Sequence, residues 1–197
     1  MMERYITPMM TLFVLAVPVF THAVTWEMDP AHSSFQFKVR HMTVSSVKGD
    51  FSKFRGVVII DDKDITQMKV EMAIEAASVN TGHPQRDDHL RGQDFFDVIK
   101  YPAITFVSSK VTKADGDKLR VTGDLTIHGV TREITVDMEG PAAEVKDPGG
   151  NFRRGATATA KIDRRDFGLA WNKVLDSGGL VVGDEVNIYV EVELIRK

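Results

Sequence analysis

The sequence predicts an all-β fold, an antiparallel sheet of about eight strands closed into a barrel, with a short helix near one end. Three observations predict it. Apolar and polar residues alternate in run after run, the pattern of strands with one buried and one wet face. Turn signals separate the runs at hairpin spacing. One strand reads Gly155-Ala156-Thr157-Ala158-Thr159-Ala160-Lys161-Ile162, so its apolar face is mostly methyl groups. A closed sheet with inward residues this small leaves room in its middle for an apolar ligand. Bulky side chains reaching across from facing strands would instead fill that room. Both interiors stay open at this point.

The elements follow in order. Phe35, Phe37 and Val39 alternate with Gln36, Lys38 and Arg40. Residues 49–61 and 103–113 read as strands less cleanly. Val70, Met72, Ile74 and Ala76 alternate with Glu71, Ala73 and Glu75. Leu119, Val121, Gly123, Leu125 and Ile127 form one face of the next run, and Ile134, Val136 and Met138 one face of another. Val186, Ile188, Val190, Val192 and Leu194 line the last. Asp115-Gly116 and His128-Gly129 mark tight hairpins, and Asp147-Pro148-Gly149-Gly150-Asn151 marks a polar turn. Hairpin order and a long terminal strand favour a barrel over a sandwich, because closure removes exposed edges.

Two segments break the pattern. In residues 83–92, Pro84 suits a helix start and Gly92 its end. This helix delivers Phe95 and Phe96 to a buried place over one barrel end. Residues 163–183 carry Phe167, Leu169, Trp171, Val174 and Leu175, too much apolar surface for a plain solvent loop. They read as a lid over the barrel mouth.

The chain has 197 residues and a formal net charge of -3. Its start reads as a secretory signal peptide: Arg4, an apolar run over residues 9–20, then Thr21-His22-Ala23. Cleavage after Ala23 leaves residues 24–197 as one exported domain with no expected membrane insertion. The mild charge argues against a nucleic-acid partner. The absence of cysteine excludes thiolate metal sites, attached c-type haem and thiol redox chemistry.

Several motifs together carry a family resemblance. Asp29-Pro30-Ala31-His32-Ser33-Ser34-Phe35 leads into Phe37-Lys38-Val39-Arg40-His41, and Gly49-Asp50-Phe51-Ser52-Lys53-Phe54-Arg55-Gly56 follows. The most specific run is Arg86-Asp87-Asp88-His89-Leu90, then Phe95-Phe96-Asp97 and Tyr101-Pro102-Ala103-Ile104-Thr105-Phe106. Gly123-Asp124-Leu125-Thr126-Ile127-His128-Gly129-Val130-Thr131, Asp166-Phe167-Gly168-Leu169 and Val182-Gly183-Asp184-Glu185-Val186 complete the set. Over essentially all of residues 24–197 the chain resembles the YceI-like family of polyisoprenoid-binding periplasmic proteins. The resemblance implies an extended lipocalin-like barrel and an elongated apolar pore for a polyprenyl lipid or a prenylquinone tail. It implies a periplasmic location, and a homodimer in some members. It supplies no catalytic residues.

The residues themselves point the same way. His32, His41, His83 and His89 lack helical zinc spacing and read as structural, so no metal is expected. Arg86, Asp87, Asp88 and Arg91 read as a helix cap with surface pairs. Asp124 and His128 share a face but are separated by Thr126, and no nucleophile motif accompanies them. No enzyme activity and no cofactor beyond the bound lipid are therefore expected. By face parity the pore wall would comprise Phe37, Val39, Val70, Met72, Ile74, Ile104, Phe106, Leu125, Ile127, Ala158, Ala160, Ile188 and Val190, with Phe167 and Trp171 from the connecting segment. Two other functions stay in view. One is a binder of other amphiphiles, such as fatty acids or amides. The other is an enzyme acting on a lipid held in the pore.

Overall fold

The computed structural model describes residues 23–176 and 178–197, so the expected signal segment, residues 1–23, lies outside the described residues except for Ala23. The strands are β1 (Ala23–Met28), β2 (Ser34–His41), β3 (Ser45–Phe51), β4 (Phe54–Asp61), β5 (Lys69–Glu75), β6 (Val79–Asn80), β7 (Ala103–Lys113), β8 (Lys118–Ile127), β9 (Val130–Glu139), β10 (Val145–Lys146), β11 (Phe152–Asp163) and β12 (Val182–Arg196). Helix α1 spans Pro84–Arg91.

All pairings are antiparallel, and eight strands close a ring in the order β1, β4, β5, β7, β8, β9, β11, β12. This is the predicted barrel. Its last strand is its longest, at 15 residues. That length lets one edge of β12 pair with β1 at Leu194–Arg196 and, further along, with β2. Strands β2, β3 and β6 thereby extend the sheet beyond the ring at one end.

Residues 49–61, expected as one strand, are divided between β3 and β4 at Ser52-Lys53. The reason is local. The Ser52 N–H donates to the Ser78 carbonyl at 3.3 Å, and the Lys53 N–H donates to the Ser78 hydroxyl at 3.2 Å. The backbone groups at the break find a turn as partner instead of a neighbouring strand.

The turns follow their sequence signals. His128 and Gly129 both have positive φ, 51° and 73°, as a two-residue type I′ hairpin requires. Tyr101 lies against this turn, so a Cβ at Gly129 would meet its ring at 2.4 Å. The Asp115-Gly116 loop is closed by the Ala114 N–H donating to the Lys118 carbonyl at 2.8 Å.

Helix α1 begins and ends as predicted. His83 caps it, its Nδ1 accepting from the Arg86 N–H at 3.4 Å, and Gly92 terminates it. Its charged residues reach further than the expected surface pairs. Asp87 is buried and accepts from the Thr81 N–H at 2.9 Å. Arg91 donates to the carbonyls of Ala77 and Val79, both at 2.8 Å. These bonds fasten a helix with little apolar surface to β6 and the turn before it.

One end of the barrel is tightly packed. Trp26, Ile60, Met68, Val121 and Leu194 are each 2% exposed or less. Arg154, on the inward face of β11, lays its guanidinium over the Trp26 ring at 4.9 Å. The same group grips Asp62 through two hydrogen bonds of 2.8 and 2.9 Å. An indole stacked under a paired cation closes this end.

Candidate functional site: an apolar pore

Above the Trp26 layer the interior is not filled. A cavity of about 400 Å³ runs up the barrel. Register defines its walls. One row joins Ala160, Ile188, Phe37 and Gly49, and the next joins Ile162, Val186, Val39 and Val47. On the facing side, Gly56, Met72, Phe106 and Leu125 align across β4, β5, β7 and β8. Ile74, Ile104 and Ile127 stand beside them. Small residues on β11 oppose large ones across the ring, and the large ones do not close the gap.

Burial supports the same reading. Phe37, Val39, Val70, Met72, Ala158, Ala160, Ile188 and Val190 point inward yet are only half-buried. An inward side chain that keeps part of its exposure faces open space.

Fourteen of the fifteen wall residues expected from the sequence line this cavity, from Phe37 on β2 to Val190 on β12 and including Trp171. Phe167 does not. It is 1% exposed and packs into the core beside the cavity. It sits in a turn of 3-10 helix, Arg164–Phe167, and Leu169 lines the cavity instead.

The helix, residues 163–176 and residues 178–183 crown the open end. Phe95, His89 and Trp171 form a cluster there, with Trp171 4.8 Å from the His89 ring and 5.3 Å from the Phe95 ring. Phe96 meets Phe51 edge-on at 5.8 Å. Arg40, His41, Arg86, His89 and Arg164 supply polar groups at the cavity boundary.

Two residues that hold this crown were not singled out in the sequence. Arg164 is 4% exposed. It donates to the carbonyls of Gly183 at 2.9 Å, Trp171 at 3.0 Å and Leu169, and to the Asp184 carboxylate at 3.1 Å. Burial pushes its guanidinium pKa down, and Asp184 opposes that shift. Asn172 bonds both backbone groups of Val182, accepting from its N–H at 3.0 Å and donating to its carbonyl at 2.6 Å. Arg164 had a weak signal, its place just before the Asp166-Phe167-Gly168-Leu169 motif. Asn172 had none.

His32 and His128 do not line the cavity. His32 sits with Asp29 and Glu193, close enough in principle for a shared cation. The Arg153 guanidinium already fills that position, donating to Asp29 at 2.8 Å, Glu193 at 2.5 Å and Asp147 at 2.6 Å. Hydrogen bonds from His32 and Arg153 lower the Asp29 pKa to about 2. Hydrogen bonds from Arg153 and Asn151 do the same to Asp147. The bond to Asp29 raises the His32 pKa. His128 rests against Tyr101 with ring centroids 4.6 Å apart.

The YceI-like domain model matches residues 26–194, nearly the whole barrel. The chain belongs to the YceI-like family. A UPF0312 protein of Vibrio parahaemolyticus is 40% identical over 157 residues, 79% of this chain and 82% of that relative. The crystal structure of Burkholderia cenocepacia BcnA superposes with a TM-score of 0.72 at 29% identity, covering 84% of this chain and 98% of BcnA. A polyisoprenoid binding domain from Saccharophagus degradans shares the fold at a TM-score of 0.63 and 17% identity, covering 88% of this chain and 99% of that domain.

Proposed function

We propose that this YceI-like chain binds a long-chain isoprenoid lipid, a polyprenyl lipid or a prenylquinone, in the apolar pore. It carries or stores that lipid in the periplasm, after residues 1–23 are removed as a signal peptide, and does no chemistry on it. The observation that carries this reading is the unfilled cavity itself. Inward methyl and branched aliphatic groups line it from Ala156 to Ile162 on one strand and from Val186 to Val192 on the next. A wall of this kind suits a branched hydrocarbon tail, and the polar groups at the mouth suit a head group. Met72 adds a flexible surface that adapts to the tail. Burial contributes roughly 0.8 kcal/mol per methylene-sized group, which offsets the ordering of a flexible chain once several isoprene units are buried. The description of the Saccharophagus degradans domain as polyisoprenoid binding supports the same ligand class.

Native mass spectrometry of protein taken from its own periplasm, with organic extraction of anything bound, tests the proposal. The expected result is one prenyl lipid per chain. A folded, delipidated protein that takes up no prenyl lipid overturns it. Displacement of a prenylquinone by equimolar fatty acid would reassign the pore to amphiphiles in general.

A further inference from the structure

Beside the mouth, four short segments lie side by side as a lip. His41 of β2 pairs with both Ser45 of β3 and Val182 of β12. The Met42 N–H donates to the Val181 carbonyl at 2.8 Å, and Val181 in turn bonds the Lys173 carbonyl at 3.0 Å. Val174 bridges to Leu180 beyond that. Three apolar residues of this lip stand in water: Val44 is 77% exposed, Val174 73% and Leu180 41%. They lie on two adjacent hairpins beside the pore mouth, so they form one local apolar group.

Charge identifies what covers them. Lys38 and Lys48 face each other directly across β2 and β3, an arrangement that costs stability in a sheet. Asn187, not a carboxylate, flanks Lys38 on its other side. Arg40 and Lys173 join them, and residues 38–48 and 172–182 contain these four bases against one acid, Asp176. Among the described residues, none of the four bases takes part in an ion pair. Exposed apolar residues beside a group of unpaired bases match an anionic bilayer, whose surface attracts the bases while its acyl boundary takes up the apolar side chains. A protein partner would need a broad complementary face, which three apolar side chains on two hairpins do not offer.

We propose that this lip docks on an anionic lipid bilayer and sets the pore mouth against the membrane that supplies or receives its cargo. The inference rests on the lipid-carrying reading above. It adds where the protein meets the lipid source.

Vesicle flotation tests it, with phosphatidylcholine vesicles that contain or lack phosphatidylglycerol. The protein is expected to float with phosphatidylglycerol vesicles at low salt, and to be released by high salt or by phosphatidylcholine alone. The charge reversals Lys38→Glu and Lys48→Glu are expected to lower partitioning by about fivefold or more for each lysine. Val44→Asp with Leu180→Asp is expected to lower it by about tenfold. Circular dichroism confirms that each variant is folded, and each takes up prenylquinone delivered from detergent as the parent does. Absence of flotation, or flotation that neither pair of substitutions changes, overturns docking. A protein that floats normally but takes no prenylquinone from detergent contradicts the proposed function instead.

Discussion

The two ends of the barrel share the same long strands yet treat their inward side chains differently. At the Trp26 end, Trp26, Ile60 and Leu194 are each 1% exposed and the Arg154–Asp62 pair seals the layer. At the crowned end, Ile162, Val186, Ile188 and Phe37 face the same interior and remain half-buried. Composition accounts for the contrast. The closed end brings an indole and a guanidinium to the axis. The open end brings alanines on β11, and no large side chain on β12 or β2 compensates for them. The closed end holds the fold together, and the open end gives up packing to keep a pore.

Truncation at each end breaks or sharpens this contrast. Trp26→Ala is expected to cost about 3–5 kcal/mol of stability in chemical denaturation, because it opens a sealed layer. Ile188→Ala, at a wall already open, is expected to cost about 1 kcal/mol. Equal losses would mean that the two ends are packed alike.

The crown gives an intermediate effect. Arg164→Leu removes a buried cation and leaves the carbonyls of Leu169, Trp171 and Gly183 without that donor. A loss of about 2–3 kcal/mol is expected, with faster amide exchange across residues 169–183. Unchanged exchange there would show that the crown stands without Arg164.

The smallest effect is tied to pH and lies at the ion cluster around Arg153. Asp29 and Asp147 have pKa values lowered from 3.8 to about 2 in the folded protein. The unfolded chain therefore binds protons first as pH falls. Their contribution is fully present above about pH 4 and is lost as pH drops towards 2. His32 works in the opposite sense, because its pKa is raised: its contribution is present below the ordinary histidine value of 6.5 and is lost as pH rises through the folded value. Arg153→Met is expected to flatten the acid limb in thermal melts collected from pH 5 to pH 2. An unaltered acid limb would remove Arg153 from the account.

Much of this was legible because period-two alternation carries both strand and face. The inward residues of β2, β5, β7, β8, β11 and β12 follow from it, and most of the pore wall with them. Strand β1 was not recognised, although Val24, Trp26 and Met28 alternate with Thr25 and Glu27, because it sits directly after the expected signal segment. The division of residues 49–61 depends on Ser78, 25 or more residues away, which no local pattern announces. Arg164 and Asn172 act mainly on backbone carbonyls and amides, which every residue possesses, so their partners leave no trace in sequence. Phe167 was placed on the wall because aromatic content alone does not separate a lining ring from one packed behind the lining.

The central claim is that the space beside Ala160 is empty in the unliganded protein and filled by ligand in use. The measurement that tests it most directly is Ala160→Phe, followed by both thermal stability and prenyl-lipid stoichiometry. Stability near that of the parent, with lipid binding lost, is the expected result. A destabilisation of about 1–3 kcal/mol, the ordinary cost of overfilling a packed core, would contradict it.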